Sequence, residues 1–264
     1  RGEENKMSTS WDFGGGSTNN GSAGLGSIHG ISQSIYAESS TQKGPLGAKL
    51  EFDDGRVFRY SKAVAAITAG KVVSTDNVQL IAADADGTWV AAAAGSTEVA
   101  VTDSTLSSAT ANLYSGAYLG NITNLEQYRI KSNTAASSNK VTFELYDGIV
   151  TAIATSDDYQ ITPNPYASVI TSTVIDGSYD RVVGIAPRGI TSGYYFWLQT
   201  GGVAYALNDA AAAVTLGVMV ASSDSTAGSI QISDAGVDEQ IIGYAVGAAA
   251  SSKPAPIMLT GLEA

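Results

Sequence analysis

From Ala48 onward the chain alternates apolar and polar positions in short runs, the period of half-buried β-strands. Val141, Phe143 and Leu145 are separated by Thr142, Glu144 and Tyr146. Tyr128 and Ile130, followed by a polar loop over 133–139, supply the other half of that hairpin. Leu50, Phe52, Val57 and Tyr60 flank Asp54-Gly55, a hairpin turn pair. Asp-Gly recurs at 86–87, 147–148 and 176–177, each beside an apolar run. Pro163-Asn164-Pro165 forbids helix locally and fixes an extended turn. Residues 61–66 and 208–213 have the composition for a helical turn, but neither sustains a 3.6-residue period. The pattern predicts an all-β chain.

Two segments echo each other. Ile67-Thr68-Ala69-Gly70-Lys71-Val72-Val73 is similar to Val214-Thr215-Leu216-Gly217-Val218-Met219-Val220. Val182-Val183-Gly184-Ile185-Ala186 is similar to Ile241-Ile242-Gly243-Tyr244-Ala245. A glycine at a fixed place inside an apolar strand marks a bulge or a close backbone approach, as at the corner of a small barrel. The echo predicts two related β-elements in a small β-barrel-like body, built from 37–110 plus 177–264. Residues 111–176 are expected to form a second β-lobe.

Residues 1–36 differ from the rest. They are rich in Gly, Ser and Asn, carry no apolar periodicity, and have no ionised side chain between Phe13 and Tyr36. Such sequence buries too little apolar surface to order by itself, so a flexible N-terminal arm is expected. Its aromatic pair, Trp11 and Phe13, either docks on a partner or folds back on its own domain.

Composition narrows the chemistry. The 264 residues carry 14 Lys+Arg against 25 Asp+Glu, a formal net charge of −11. Without a basic run there is no electrostatic reason to bind nucleic acid or anionic lipid. No apolar stretch approaches the ~20 residues of a helical membrane span. No cysteine is present and His29 is the lone histidine, so thiolate chemistry, sulfur-ligated metals and two-histidine metal sites are excluded. Gly70-Lys71 lacks the flanking residues of a phosphate loop, and Asp84-Ala85-Asp86-Gly87 lacks the third Asp and the closing Glu of a calcium loop. No cofactor, metal or catalytic residue is expected.

Tyr194-Tyr195-Phe196-Trp197 is the densest aromatic run. On a strand, Tyr194 and Phe196 share one face and Tyr195 and Trp197 the other. Such a run is buried on both faces, forms an interface between subunits, or offers a platform to a sugar.

The hairpin Glu51-Phe52-Asp53-Asp54-Gly55-Arg56-Val57-Phe58-Arg59-Tyr60-Ser61-Lys62, followed by Ile67-Thr68-Ala69-Gly70-Lys71, resembles the opening of the head decoration (capsid cement) proteins of tailed bacteriophages. The later order is similar too: Tyr128-Arg129-Ile130-Lys131-Ser132-Asn133, then Pro163-Asn164-Pro165-Tyr166, then Val183-Gly184-Ile185-Ala186, then Thr191-Ser192-Gly193-Tyr194-Tyr195-Phe196-Trp197-Leu198-Gln199-Thr200-Gly201-Gly202. The resemblance spans about residues 45–262. It implies a β-rich structural protein, made in the host cytoplasm and placed on the outer surface of the virion. Its partners would be the major capsid protein and copies of itself, commonly in a trimer. Trp11 and Phe13 are then candidate capsid anchors, and Tyr194, Tyr195, Phe196 and Trp197 a candidate subunit interface. Two rival readings remain: a carbohydrate-binding module of a virion fibre using Trp89 or the 194–197 run, and a hydrolase built on paired carboxylates.

Overall fold

A computed structural model describes residues 31–76, 81–84, 87–173, 181–209, 211–233, 240–260 and 262. Strand accounts for 44% of the residues and helix for 1%, which fixes the class as all-β. In chain order the first strands are β1 (Glu38–Ser39), β2 (Lys49–Glu51), β3 (Val57–Lys62) and β4 (Val72–Thr75). Then come β5 (Ile81–Asp84), β6 (Thr88–Val90), β7 (Glu98–Thr102), β8 (Tyr118–Asn121), β9 (Glu126–Asn133), β10 (Lys140–Leu145) and β11 (Tyr159–Thr162). The last group is β12 (Val169–Thr171), β13 (Val182–Ile185), β14 (Tyr195–Leu207), β15 (Met219–Ser222), β16 (Ile230–Ile232), β17 (Ile241–Ala245) and β18 (Pro254–Leu259). The first and last groups form an eleven-stranded sheet, curled into a half-barrel, and the middle group a seven-stranded sheet of its own. The Asp54-Gly55 hairpin forms, with Leu50 opposite Phe58 and Gly55 at φ +82°. So does the β9–β10 hairpin, with Phe143 opposite Asn133. The turn at Asp176-Gly177 lies outside the described residues.

The echo in the sequence is a duplication in space. Ile67 bridges Ile190 as Val214 bridges Ala249. The Gly70 N–H donates to Ala186 O at 2.8 Å, and the Gly217 N–H to Ala245 O at 2.9 Å. Both glycines hold positive φ, +75° and +84°. Val72 then faces Ile185 and Val73 faces Gly184, while Met219 faces Tyr244 and Val220 faces Gly243. Both ladders shift register at the next step. Thr75 lies opposite Val169 as Ser222 lies opposite Ile230. Gln199 faces Ile185 as Met258 faces Tyr244. The body is therefore one strand pattern used twice. The first half comprises β3, β4, β12, β13 and the start of β14; the second comprises the end of β14, β15, β16, β17 and β18. The paired glycines have a physical cause. A Cβ on Gly184 would sit 2.5 Å from Gln199 O, and one on Gly243 would sit 1.9 Å from Met258 O, the equivalent atom.

The second sheet interrupts the first half at a hairpin tip. In the second half a short turn joins β15 to β16 and is closed by the Ser223 N–H donating to Ser229 O at 2.8 Å. The equivalent bond in the first half runs from the Asp76 N–H to Ser168 O, also 2.8 Å, with the whole seven-stranded lobe between its ends. The lobe has its own core, drawn only from residues 89–161, including Trp89, Leu119, Ile130, Phe143, Tyr159 and Ile161. Its first and last strands, β5 and β11, pair with each other, which brings its chain ends side by side.

Two boundaries differ from the sequence expectation. The body was expected over 37–110 plus 177–264 and the lobe over 111–176, but β6 and β7 pair within the lobe sheet and β12 pairs with β4 of the body. Alternation tells which face a side chain takes, not which strand lies beside it. The expected arm, 1–36, also ends early: Ile31 is 2% exposed and Gln33 is 8% exposed, both packed into the body.

Joining Asp76 to Pro163 through a short Gly-Ser linker is expected to leave a folded body, and residues 80–163 alone to fold as a β-domain. Dispersed amide spectra and cooperative melting of each piece check this; an unfolded body would refute the insertion. Gly184→Ala and Gly243→Ala are each expected to cost about 1–3 kcal/mol, since backbone must move to admit the methyl. Urea denaturation measures that loss.

Candidate docking surfaces

The aromatic run divides as alternation requires. Phe196, 1% exposed, packs with Leu198, Val183 and Ile67, and Tyr194 lies against the same cluster. Trp197, fully buried, packs on the other face with Ile31, Leu50, Phe58 and Tyr60, and Tyr195 lies against that cluster. The Trp197 and Tyr60 rings meet edge to face at 5.1 Å. Trp197 Nε1–H donates to Gln33 O at 2.8 Å. Gln33 in turn accepts from Tyr60 Oη at 3.0 Å and donates to the carbonyls of Ala37 and Tyr195, each at 3.0 Å. Phe196 and Trp197 are therefore core residues of their own chain, not an interface between subunits. The reason is position: the start of β14 runs between β3 and β13, and a separate packed cluster covers each of its faces. Tyr194 and Tyr195 are half-buried. Trp89 is also buried, edge to face with Tyr159 at 6.0 Å. Neither tryptophan presents a ring to a sugar.

Three acidic side chains are buried among the described residues. Buried Asp103 accepts from Tyr159 Oη and from the Thr105 N–H, both at 2.6 Å. Buried Asp157 accepts from Asn121 Nδ2 at 2.9 Å and the Ala154 N–H at 3.1 Å. Buried Asp209 accepts from Ser223 Oγ at 2.9 Å and the Ala211 N–H at 3.0 Å. Each braces a turn. Hydrogen bonds from Thr151 and Tyr128 hold the Glu126 carboxyl below its ordinary range, and those from Lys131 and Ser132 do the same for Glu144. Asp54 is lowered by the Arg56 backbone N–H. These shifts favour the carboxylate, away from what a general acid needs at neutral pH. Among the described residues no group of three His, Cys, Asp or Glu gathers to hold a metal. Trp11, Phe13 and His29 lie outside the described residues.

The duplication exposes a surface that the sequence did not announce. On the first half, Phe58 and Tyr60 of β3 are covered by the preceding chain, including Ile31 and Leu50, and β2 pairs along the edge of β3. Their counterparts on the second half are Val203, opposite Met258, and Tyr205, opposite Pro256. Val203 is 42% exposed and Tyr205 is 65% exposed. The row continues across the sheet through Met258 to Tyr244, 42% exposed, and Met219, 57% exposed. Among the described strands none pairs with 203–207 on the side away from β18, the side that β2 occupies in the first half. That edge is closed in part by the Leu207 N–H donating to Gly70 O at 2.8 Å and by Gln199 Nε2 donating to Val203 O at 2.9 Å. Scattered exposed apolar residues are ordinary, but a contiguous apolar row marks a contact surface. Only the pairing reveals it, because 203–207 reads as one more alternating strand.

Comparison of the chain with protein families, with curated proteins and with solved structures finds no match.

Trp197→Ala is expected to cost about 3–5 kcal/mol, the range for emptying a buried aromatic site. Its sedimentation coefficient should stay that of wild type under conditions where it is folded. Unchanged stability with altered assembly would place this ring at an interface after all.

Proposed function

We propose that this protein is a structural virion component that decorates and stabilises the outer surface of a phage capsid, binding the major capsid protein as a homo-oligomer. The observation that supports the reading is an uncovered apolar row that suits contact with protein, in a chain whose described buried acids each brace a turn. Three of the segments that resemble head decoration proteins lie on working parts of the body. The 51–62 hairpin carries β3, the 183–186 segment carries the close-approach glycine of β13, and the 191–202 segment carries most of β14.

In this reading residues 1–30 dock on the capsid floor through Trp11 and Phe13. Burial of two aromatic rings contributes about 3–6 kcal/mol before ordering costs, which matters most when many copies act on one particle.

Mature heads assembled without this protein, titrated with it and sedimented, test the proposal. Saturable co-sedimentation and a higher disruption temperature of the particle are expected. A chain beginning at Gly30, which keeps the buried Ile31 and Gln33, is expected to bind at least tenfold more weakly, about 1.4 kcal/mol. Full-length chain that stays in the supernatant would overturn the reading, and equal binding by the shortened chain would remove the role of residues 1–30.

A further inference from the structure

We infer that the apolar row on the second half, centred on Val203, Tyr205, Met219 and Tyr244, is where a second copy of this chain docks head to tail. The inference rests on the homo-oligomeric part of the proposal above and names its surface.

The chain already contains a template for the contact. On the first half the counterparts of Met219 and Tyr244 are Val72 and Ile185, which are 0% and 1% exposed. They are buried by the second half, in one cluster with Val220, Ile242 and Ile257. Polar contacts hold that junction at its margin. The Val72 N–H donates to Gly228 O at 2.8 Å, and Lys71 Nζ donates to Ala227 O at 2.6 Å. Ser172 Oγ and Ser222 Oγ lie 3.1 Å apart. The two contacting surfaces are different: the outer face of the first half meets the β15–β16 turn and core of the second. Such a contact between equivalent units is heterologous, so the second half still presents its own copy of the outer face, uncovered.

The pattern also indicates what reaches it. The element of the second half that grips Lys71 and Val72 is the turn between β15 and β16. In the first half, the connection at the same place is the seven-stranded lobe, which leaves the sheet at Asp76 and returns at Ser168. When the contact repeats between molecules, the lobe of the second copy lies over Val218 and Met219. The row's side chains are neutral, which suits an apolar partner surface. Repetition of such a contact closes a ring when its rotation allows.

Sedimentation velocity on the full chain across micromolar to hundreds of micromolar concentrations tests this. Wild type is expected to self-associate. Met219→Glu and Tyr205→Glu should each weaken association at least tenfold. Tyr36→Glu, an equally drastic change at a 60% exposed position of the first half, should behave as wild type. All three replaced side chains are exposed, so thermal melts should be unchanged. An oligomer that survives both row substitutions overturns the assigned surface and leaves the homo-oligomeric reading standing. A wild type that stays monomeric, as follows if residues 1–30 of the same chain cover the row, overturns both, while co-sedimentation with heads separately decides decoration.

Discussion

Both halves of the body depend on a single strand changing partners part-way along its length. The 13 residues of β14 pair with β3 up to Gly201 and with β18 from Gly202 onward. The exchange needs a local break in the ladder, which appears as a register shift between Gln199 and Gly201. Gln199 Nε2 spans the break, donating to Gly201 O at 3.1 Å and Val203 O at 2.9 Å. At Gly202 the backbone takes φ +76°, and a Cβ there would lie 2.6 Å from Gly55 O. Any side chain at that position would push away the β2–β3 turn. Without this break β14 could serve one half or the other, not both.

The rest of the body repeats a single solution to the same packing problem. A chain leaves one strand, bridges back, turns through a positive-φ glycine, and enters a strand whose neighbour carries a glycine under a crossing carbonyl. The corner occurs once more in the lobe. Ala92 bridges Ile153, and Gly95, at φ +86°, donates its N–H to Ile149 O at 2.7 Å. A low content of charged residues, 15%, suits this construction. Buried serine, threonine and asparagine close turns with neutral hydrogen bonds, as Asn133 does by accepting from the Tyr114 N–H at 2.8 Å and donating to Thr110 O at 3.0 Å. Neutral bonds of this kind satisfy buried backbone without the desolvation cost of an ion pair.

How much of this could be read from residues alone varies with the physical signal. The β class followed from period-2 alternation, and the duplication from two short echoes, because a glycine forced by a crossing strand leaves a mark at a fixed place. The third corner was illegible, since Ala92-Ala93-Ala94-Gly95 is too plain a sequence to distinguish. The division into sheets was missed at both ends because pairing is non-local: Trp89 and Tyr159 meet in one core yet lie far apart in the chain. Gln33 stood in a Gly- and Ser-rich stretch that read as featureless, and its role depends on Tyr60 and Trp197, which the sequence does not place beside it. The exposed row was hidden for a related reason. Val203 and Tyr205 alternate like any half-buried strand, and only comparison with their covered counterparts shows that something is missing above them.

The insertion of the lobe at a hairpin tip bears on the order in which the chain can close. In the second half β15 and β16 are separated by a few residues, so their pairing requires only a short loop to form. In the first half the matching strands, β4 and β12, are held apart by the entire lobe until its own sheet brings β5 against β11. Once that happens, Asp76 and Ser168 become near neighbours and the pairing of β4 with β12 becomes as local as its counterpart. Two stretches built to the same plan thus face different entropic barriers, and the half synthesised first is the one that must wait for its guest.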